Sequence, residues 1–486
     1  MPLDINLFRV EKGGNPEIIR ESQRRRFKDI STVDTVIALD KKWRASQHRL
    51  EAINRSVKLC SKAVGMKMKL KKAQGESTNP MTTIEAFPVS IQEKLSSLDS
   101  ASNETAQVIP LDSNDLEPFS AEELRYLSKH ITTSVLPKEQ ANARDRAAQR
   151  DEALRDIGNI VHEEVSVAQD ETMNTVVVTN GDCTTTKQLN HVDIMHKLGD
   201  LDCSDRVTRM SGGRSYVLTG DLVLLQSALV NYSLQFLSAR GYKPFYPPVF
   251  LEKESMGAVA QLSDFDEQLY SVKGEGDDKY LIATAEQPLC VYHRNQYYSE
   301  QDLSEPLRYA GYSNCFRKET GSHGRDTLGI FRVHQFDKIE QFVVCSPRDG
   351  LSWKLHQEML QNACDFYDSL EIPYRVVDIV TGALNNSAAR KYDLEGWFPG
   401  SGKFRELVSC SNCTDYQSRA VQCRYGAAGA NVGEAKEHPH MLNSTLSAIT
   451  RTMCAIVENH QTEEGVIIPS ALRCYFPKDK TILRFL

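Results

Sequence analysis

The chain has 486 residues, 40% of them hydrophobic and 25% charged, with a formal net charge of −7 at pH 7. That length accommodates two or three domains and a large buried core, the composition is that of an ordinary soluble protein, and the acidic balance argues against a generic nucleic-acid binder. Twelve cysteines are scattered without a disulfide-framework spacing, the start Met1-Pro2-Leu3-Asp4 lacks a basic, then apolar, leader, and no window is apolar for long enough to span a bilayer, so a cytoplasmic enzyme with no membrane association is expected.

The average charge conceals an asymmetry. Between Arg20 and Lys72 sixteen Lys and Arg stand against five Asp and Glu. A basic limb on an acidic body fits either a polyanion-binding footprint or a solvated helix face; as a footprint its candidates are Arg24, Arg25, Arg26, Lys58, Lys62, Lys67, Lys69 and Lys71. The spacing predicts one long helix over about 33–72, because Val36, Trp43, Leu50, Val57 and Val64 recur every seven residues, with Leu39, Ser46, Ile53 and Cys60 in the complementary position. A Pro- and Ser-rich break runs from Gln74 to Pro118. A second helical region over about 120–162 carries Leu124, Leu127, Ile131, Ala143, Ala147, Leu154, Ile157 and Val161, and Pro137 makes either a kink or the first turn of a new helix. Two such helices suggest an antiparallel coiled-coil hairpin about 60 Å long, either an assembly rod or a reaching device.

From about Asp170 strands and helices alternate. Thr175-Val176-Val177-Val178 and Phe342-Val343-Val344 read as strands. Asp221 to Ala239 reads as an apolar helix stopped at Gly241, its wide hydrophobic face serving as core or as a subunit interface.

Three blocks carry the chemistry. Gly241-Tyr242-Lys243-Pro244-Phe245-Tyr246-Pro247-Pro248 follows the apolar helix. Cys315-Phe316-Arg317-Lys318-Glu319, a polar loop from Gly321 to Asp326, and Arg332-Val333-His334-Gln335-Phe336-Asp337-Lys338-Ile339-Glu340 form a hairpin rich in cations and spaced carboxylates, suited to a triphosphate. Phe404-Arg405-Glu406-Leu407-Val408-Ser409 is completed by Asn443-Ser444-Thr445 and Arg451. In order, these blocks resemble motifs 1, 2 and 3 of the class II aminoacyl-tRNA synthetases. With Thr284-Ala285-Glu286 and the N-terminal arm, the whole chain resembles the seryl-tRNA synthetases of the eukaryotic cytosolic type.

The resemblance implies an α+β fold: an antiparallel class II sheet flanked by helices in residues 173–486, and an N-terminal tRNA-binding domain with a helical-hairpin arm in residues 1–172. It implies a serine–tRNA ligase that uses ATP and Mg²⁺ to make seryl-adenylate and loads tRNA(Ser), with tRNA(Sec) as a further expected substrate, working as a homodimer. Attack of a carboxylate on the α-phosphorus needs positioned cations more than proton transfer. By the resemblance, Arg317 bridges α-phosphate and serine carboxylate, Arg451 meets the γ-phosphate, Glu319 accepts from the adenine amino group, and Arg332, Val333 and Phe336 surround the nucleotide. Glu406 and Ser409 hold Mg²⁺. Thr284 and Glu286 read the serine ammonium, Glu340 takes its hydroxyl, and Asn443 and Thr445 line the pocket. A lone Arg-x-Glu is more often a surface ion pair, Cys410-x-x-Cys413 has no second pair to make a zinc site, and His334 reads as structural. Thr320 and Leu328 depart from the family pattern, and the end Pro477–Leu486 is too short for the lysine-rich tail of many relatives. A non-catalytic tRNA-binding paralogue and a ligase acting on a carrier protein are the competing readings.

Overall fold

The computed structural model describes residues 2–71, 81–99, 108–260, 265, 267–274, 276–319, 329–426 and 437–486. Thr320, the Gly321-to-Asp326 loop, Leu328 and Lys72 lie outside the described residues, as do residues 74–80 of the Pro- and Ser-rich break. The chain divides into two compact units, Met1–Ile30 with Arg155–Leu486, and Ser31–Leu154. Helix α1 (Pro16–Arg25) belongs to the larger one. Asn15 starts it by accepting the Glu17 N–H, and Pro16 occupies its first turn.

The smaller unit is built on α2 (Ser31–Lys71), 41 residues long. Val36, Ser46, Ile53 and Cys60 are buried along its seam as the heptad spacing predicts, but Leu50, Val57 and Val64 are only half-buried, while Arg49, Ser56 and Ala63 one position earlier are buried. The stripe turns because the break is not a passive connector. Helix α3 (Val89–Leu98) and residues 108–119 lay a third apolar layer against α2, with Phe87, Leu95, Leu111 and Phe119 joining Ile53 and Cys60 in one core. The Leu111 N–H reaches Ser56 Oγ at 3.2 Å. Elsewhere polar clasps replace apolar knobs: Asp40 lies 3.0 Å from Arg44 and 3.5 Å from Arg150, whose guanidinium stacks on Trp43, and Arg146 donates to Ser46 Oγ at 2.6 Å.

The returning rod is α4 (Ala121–His130), opened by a Ser120–Glu123 capping box, and α5 (Leu136–Arg155), joined through a π turn at Ile131–Val135. Pro137 falls in the first turn of α5, as one of the two readings expects, and the helical backbone runs on into it from the π turn without a break. It has no N–H for the carbonyl four residues back, and the widened turn just before it absorbs the missing bond. The rod stops at Arg155, short of the expected His162. Val161, which extends the apolar register, packs instead with Val377, Ile379 and Leu384 of the larger unit.

The larger unit is organised by an eight-stranded sheet of β1 (Thr175–Asn180), β2 (Lys243–Phe245), β3 (Leu307–Phe316), β4 (Gln335–Cys345), β5 (Tyr374–Asp378), β6 (Arg390–Phe398), β7 (Lys403–Asn412) and β8 (His440–Ala448), in the order β1-β5-β6-β7-β8-β4-β3-β2. All neighbours are antiparallel except β2 and β3. Helices α6 (Gly220–Ser238), α8 (Leu351–Ser369) and α9 (Ile449–Asn459) cover one face and form the main core with it. The short helix α7 (Glu286–Tyr292) packs on the other face, Ala285 and Leu289 resting on Phe342. The apolar face of α6 is mostly core: Leu222, Leu225, Leu229 and Leu237 are fully buried.

Candidate active site

The second face of the sheet holds a cavity of about 520 Å³. Strand alternation decides what enters it: Phe336, Lys338 and Glu340, at every second position of β4, all line it. Two bulges align the neighbouring strands. Glu340 pairs with Thr445 while Ile339 pairs with Ser447, so Leu446 is the extra residue of β8. Likewise Leu394 pairs with Val408 and Glu395 with Glu406, leaving Leu407 extra in β7. Without the second bulge Glu406 and Ser409, three apart, would point to opposite faces. With it both line the cavity.

One end is a polar nest between α7 and β4. Glu340, 2% exposed, accepts from Lys338 Nζ at 2.5 Å on Oε1, and from the Glu286 N–H at 3.0 Å and the Thr284 hydroxyl on Oε2. Burial opposes its charge, but Lys338 and these hydrogen bonds outweigh burial and hold its pKa below the ordinary carboxylate value. Glu286 behaves differently. Gln417 and Asn443 donate to its Oε1 at 2.5 and 2.8 Å, yet burial and the adjacent Glu340 charge push it up to about 7. Two neighbouring carboxylates are thus split, one held ionised and one poised to ionise when a cation arrives.

The other walls carry cations. Arg317 follows the end of β3. Its guanidinium donates from Nε to the Ala283 carbonyl at 3.3 Å and faces the Phe336 ring at 5.4 Å. Its backbone is clipped to His334, which receives the Arg317 N–H at 3.0 Å on its carbonyl and donates from Nδ1 to the Arg317 carbonyl at 2.9 Å; in these contacts His334 positions the arginine. Glu319 lies 3.8 Å from Arg332, and Val333 is buried in the wall beside them. Arg451, on α9, stacks on Phe331 at 4.9 Å, donates to the Glu406 carbonyl at 3.1 Å and lies 3.5 Å from its carboxylate. Glu406 stands at the mouth of the cavity. Desolvation works against its charge, but Arg451, Lys391, Arg317 and Lys338 prevail and keep its pKa low. On β6 Asp393, paired across from Ser409, is pushed up to about 7 by burial and by Glu406 against the pull of Lys391.

Thr284, Glu286, Arg317, Glu319, Arg332, Val333, Phe336, Glu340, Glu406, Ser409, Asn443, Thr445 and Arg451 therefore all line this one cavity. The basic candidates are dispersed. Lys58, Lys62 and Lys69 are exposed on α2, and Lys67 caps the Glu117 carbonyl. Lys71 ends the helix. Arg24 is exposed and paired with Glu21. Arg25 donates to the carbonyls of His162, Glu163 and Val165. Arg26, 2% exposed, donates to those of Asn159, Asn385 and Ala388, and burial lowers its pKa to about 10. These last two guanidiniums are spent inside the fold. Lys338, Lys391, Asp393 and Gln417 are not among the residues that the sequence motifs single out. Strand alternation between Phe336 and Glu340 is a signal that could have found Lys338; Gln417, on a short helix without periodicity, offers none.

Comparison with known proteins agrees with this arrangement. Residues 270–460 match the tRNA synthetase class II core domain (G, H, P, S and T), and residues 2–111 the seryl-tRNA synthetase N-terminal domain. The chain is 45% identical to the cytoplasmic serine–tRNA ligase of Danio rerio over 100% of its own length and 91% of that protein, and 47% identical to the serine–tRNA ligase of Helianthus annuus over 100% and 99%. The crystal structure of the cytoplasmic ligase from Naegleria fowleri in complex with AMP superposes with a TM-score of 0.81 at 48% identity, covering 99% of both chains. That of the seryl-tRNA synthetase from Pyrococcus horikoshii complexed with ATP superposes with a TM-score of 0.77 at 33% identity, covering 100% of both. Arm, sheet, cavity and relatives agree over the full length: the chain belongs to the seryl-tRNA synthetase family, the class II serine–tRNA ligases.

Proposed function

We propose that the cavity binds ATP and L-serine side by side, forms seryl-adenylate and pyrophosphate, and passes the seryl group to tRNA(Ser), and to tRNA(Sec) where one is present. The observation that carries this reading is the split carboxylate pair at one end of a cavity whose other walls are cationic: the pair suits a small zwitterion with a hydroxyl, the cations a triphosphate. Glu286 takes the ammonium, with Thr284, Asn443 and Thr445 shaping the pocket. Glu340 accepts the hydroxyl, so alanine leaves a buried charge short of a donor and is rejected. Arg317 grips a serine carboxylate oxygen and an α-phosphate oxygen in one planar fork, bringing nucleophile and phosphorus into line. Arg451, braced on Phe331, meets the γ-phosphate. Phe336 faces the adenine, and Glu319, steadied by Arg332, accepts from its amino group.

Magnesium fits the donor set. The β7 bulge brings Glu406 and Ser409, hard oxygen donors, to one face, and beside them Asp393 Oδ1 is buried with no hydrogen-bond partner among the described residues. Bound between Glu406 and Ser409, the ion would neutralise charge on the phosphates.

Residues 1–172 act in this reading as the tRNA-binding domain and 173–486 as the catalytic domain, with the arm gripping a tRNA backbone through exposed lysines such as Lys58, Lys62 and Lys69. A homodimer forms through the region around α6 and β2, where Val223, Tyr246 and Phe250 are exposed. A cytoplasmic location is supported by the cytoplasmic relatives, and no described helix is long and apolar enough to cross a membrane.

Serine use will depend on pH. The ammonium requires ionised Glu286, whose pKa burial and the neighbouring Glu340 charge push up to about 7. Its raised pKa means that the charged form is lost as pH falls through that value. Between about pH 8 and pH 6 the KM for serine should rise about tenfold, with little change in kcat at saturating serine; a serine KM that stays flat over that range contradicts the assignment. The function itself is tested by incubating the enzyme with ATP, labelled serine and either total tRNA or an acyl-carrier-type protein. Label is expected in tRNA alone, and label in the carrier alone would refute the tRNA reading.

A further inference from the structure

Lys338 has no role in the scheme above, yet it lines the cavity and is 8% exposed. Its ammonium lies 2.5 Å from Glu340 Oε1 and 3.4 Å from Thr284 Oγ1. A carboxylate has about four accepting positions. On Glu340 three are filled before any substrate arrives, by Lys338 Nζ on Oε1 and by the Thr284 hydroxyl and the Glu286 N–H on Oε2. Among the described residues one position remains, on the oxygen that Lys338 fixes.

We propose that Lys338 is a specificity-determining positioning residue: it pins Glu340 so that a single accepting position faces the substrate, and only a side chain with a hydroxyl completes it. The inference rests on the reading of Glu340 as the acceptor of the serine hydroxyl and assigns the selectivity of that contact to its neighbour. Three features support it. Lys338 and Glu340 are two apart on one strand, so the contact is set by the backbone of β4 and not by a flexible loop. The Thr284 hydroxyl can donate only once. It donates to Glu340 while its oxygen lies within reach of Lys338, so the lysine also orients the threonine. Finally, Lys338 neutralises one member of a carboxylate pair, which lets Glu286 and Glu340 lie side by side without losing their separate tasks. A pocket so saturated penalises an unmade hydrogen bond more than a loose one does, because Glu340 cannot turn to find a substitute donor.

The test is ATP–pyrophosphate exchange by the full-length enzyme with serine, alanine and threonine separately, for the wild type, Glu340→Gln, Lys338→Met and Lys338→Arg. Lys338→Met is expected to raise the serine KM and lower the serine-to-alanine ratio of kcat/KM by about thirtyfold, with alanine exchange nearly unchanged. Lys338→Arg, which keeps a cationic donor, should restore the ratio to within about fivefold of the wild type. Glu340→Gln isolates the underlying reading and must by itself collapse the ratio. If Glu340→Gln collapses it while Lys338→Met keeps it, or loses serine and alanine exchange equally through kcat, the proposal is overturned and the role of Glu340 stands. If Glu340→Gln keeps the ratio, the role of Glu340 fails and the proposal with it. Should Lys338→Met not fold, Lys338→Gln, neutral and of similar length, is read by the same criteria.

Discussion

Replacing Arg317 with alanine will lower serine-dependent ATP–pyrophosphate exchange by about a thousandfold or more, at serine and ATP concentrations that saturate the wild type. The size follows from what the guanidinium does. It is the proposed group that holds the attacking carboxylate and the attacked phosphate together, so its contacts are made chiefly in the transition state. The fold should survive. Among the described residues the side chain makes one 3.3 Å contact with a backbone carbonyl and faces one ring, whereas the strand end is held by the backbone and imidazole of His334. Lysine at this position should recover no more than about tenfold, because a point charge cannot span two oxygens in one plane. Exchange by Arg317→Ala within about tenfold of the wild type would mean that the cations across the cavity, not this fork, organise the attack.

The second large effect is expected on the arm and should leave the first reaction alone. Reversing Lys58, Lys62 and Lys69 to glutamate changes exposed positions of α2, so serine-dependent pyrophosphate exchange should stay within about twofold of the wild type. Charging should fall about a hundredfold at physiological salt through the KM for tRNA, and the log–log salt dependence of tRNA binding should flatten by about two to three. Lys67 is not included, because its ammonium caps the Glu117 carbonyl and its loss would confuse structure with binding. Equal loss of exchange and charging would show that the arm is not a dedicated tRNA limb.

The arm and the sheet were legible in the sequence for different reasons. The heptad spacing from Val36 to Val64 announces a long amphipathic helix whatever covers it, and α2 runs from Ser31 to Lys71. Spacing could not reveal that residues 87–99 and 108–119 add a third layer, since Phe87, Leu111 and Phe119 follow no helical or strand period; that layer reaches Ser56, whose hydroxyl receives the Leu111 N–H, while Val57 stays half-buried. The same limit applies at Pro137, where a π turn reconciles a continuous rod with a missing N–H.

At the site the motif residues converge on one cavity, but their partnerships are tertiary. Thr284, read from resemblance as a companion of Glu286, spends its hydroxyl hydrogen on Glu340. Lys338 stands two residues before Glu340, but its residue type does not single it out, because a lysine in a strand normally points to solvent. Glu406 and Ser409 are three apart, a spacing that places them on opposite faces of a regular strand; only the extra Leu407, invisible to a period-2 reading, brings them together. Arg25 and Arg26 illustrate the converse error of charge counting, because both belong to the basic run and both are consumed by backbone carbonyls.

The central claim, that this cavity selects and activates serine, is tested most directly by ATP–pyrophosphate exchange measured one amino acid at a time with the purified enzyme. The prediction is rapid magnesium-dependent exchange with serine, and exchange with alanine, glycine and threonine lower by at least about a thousandfold in kcat/KM. No exchange with serine, or exchange with alanine equal to that with serine, would contradict it.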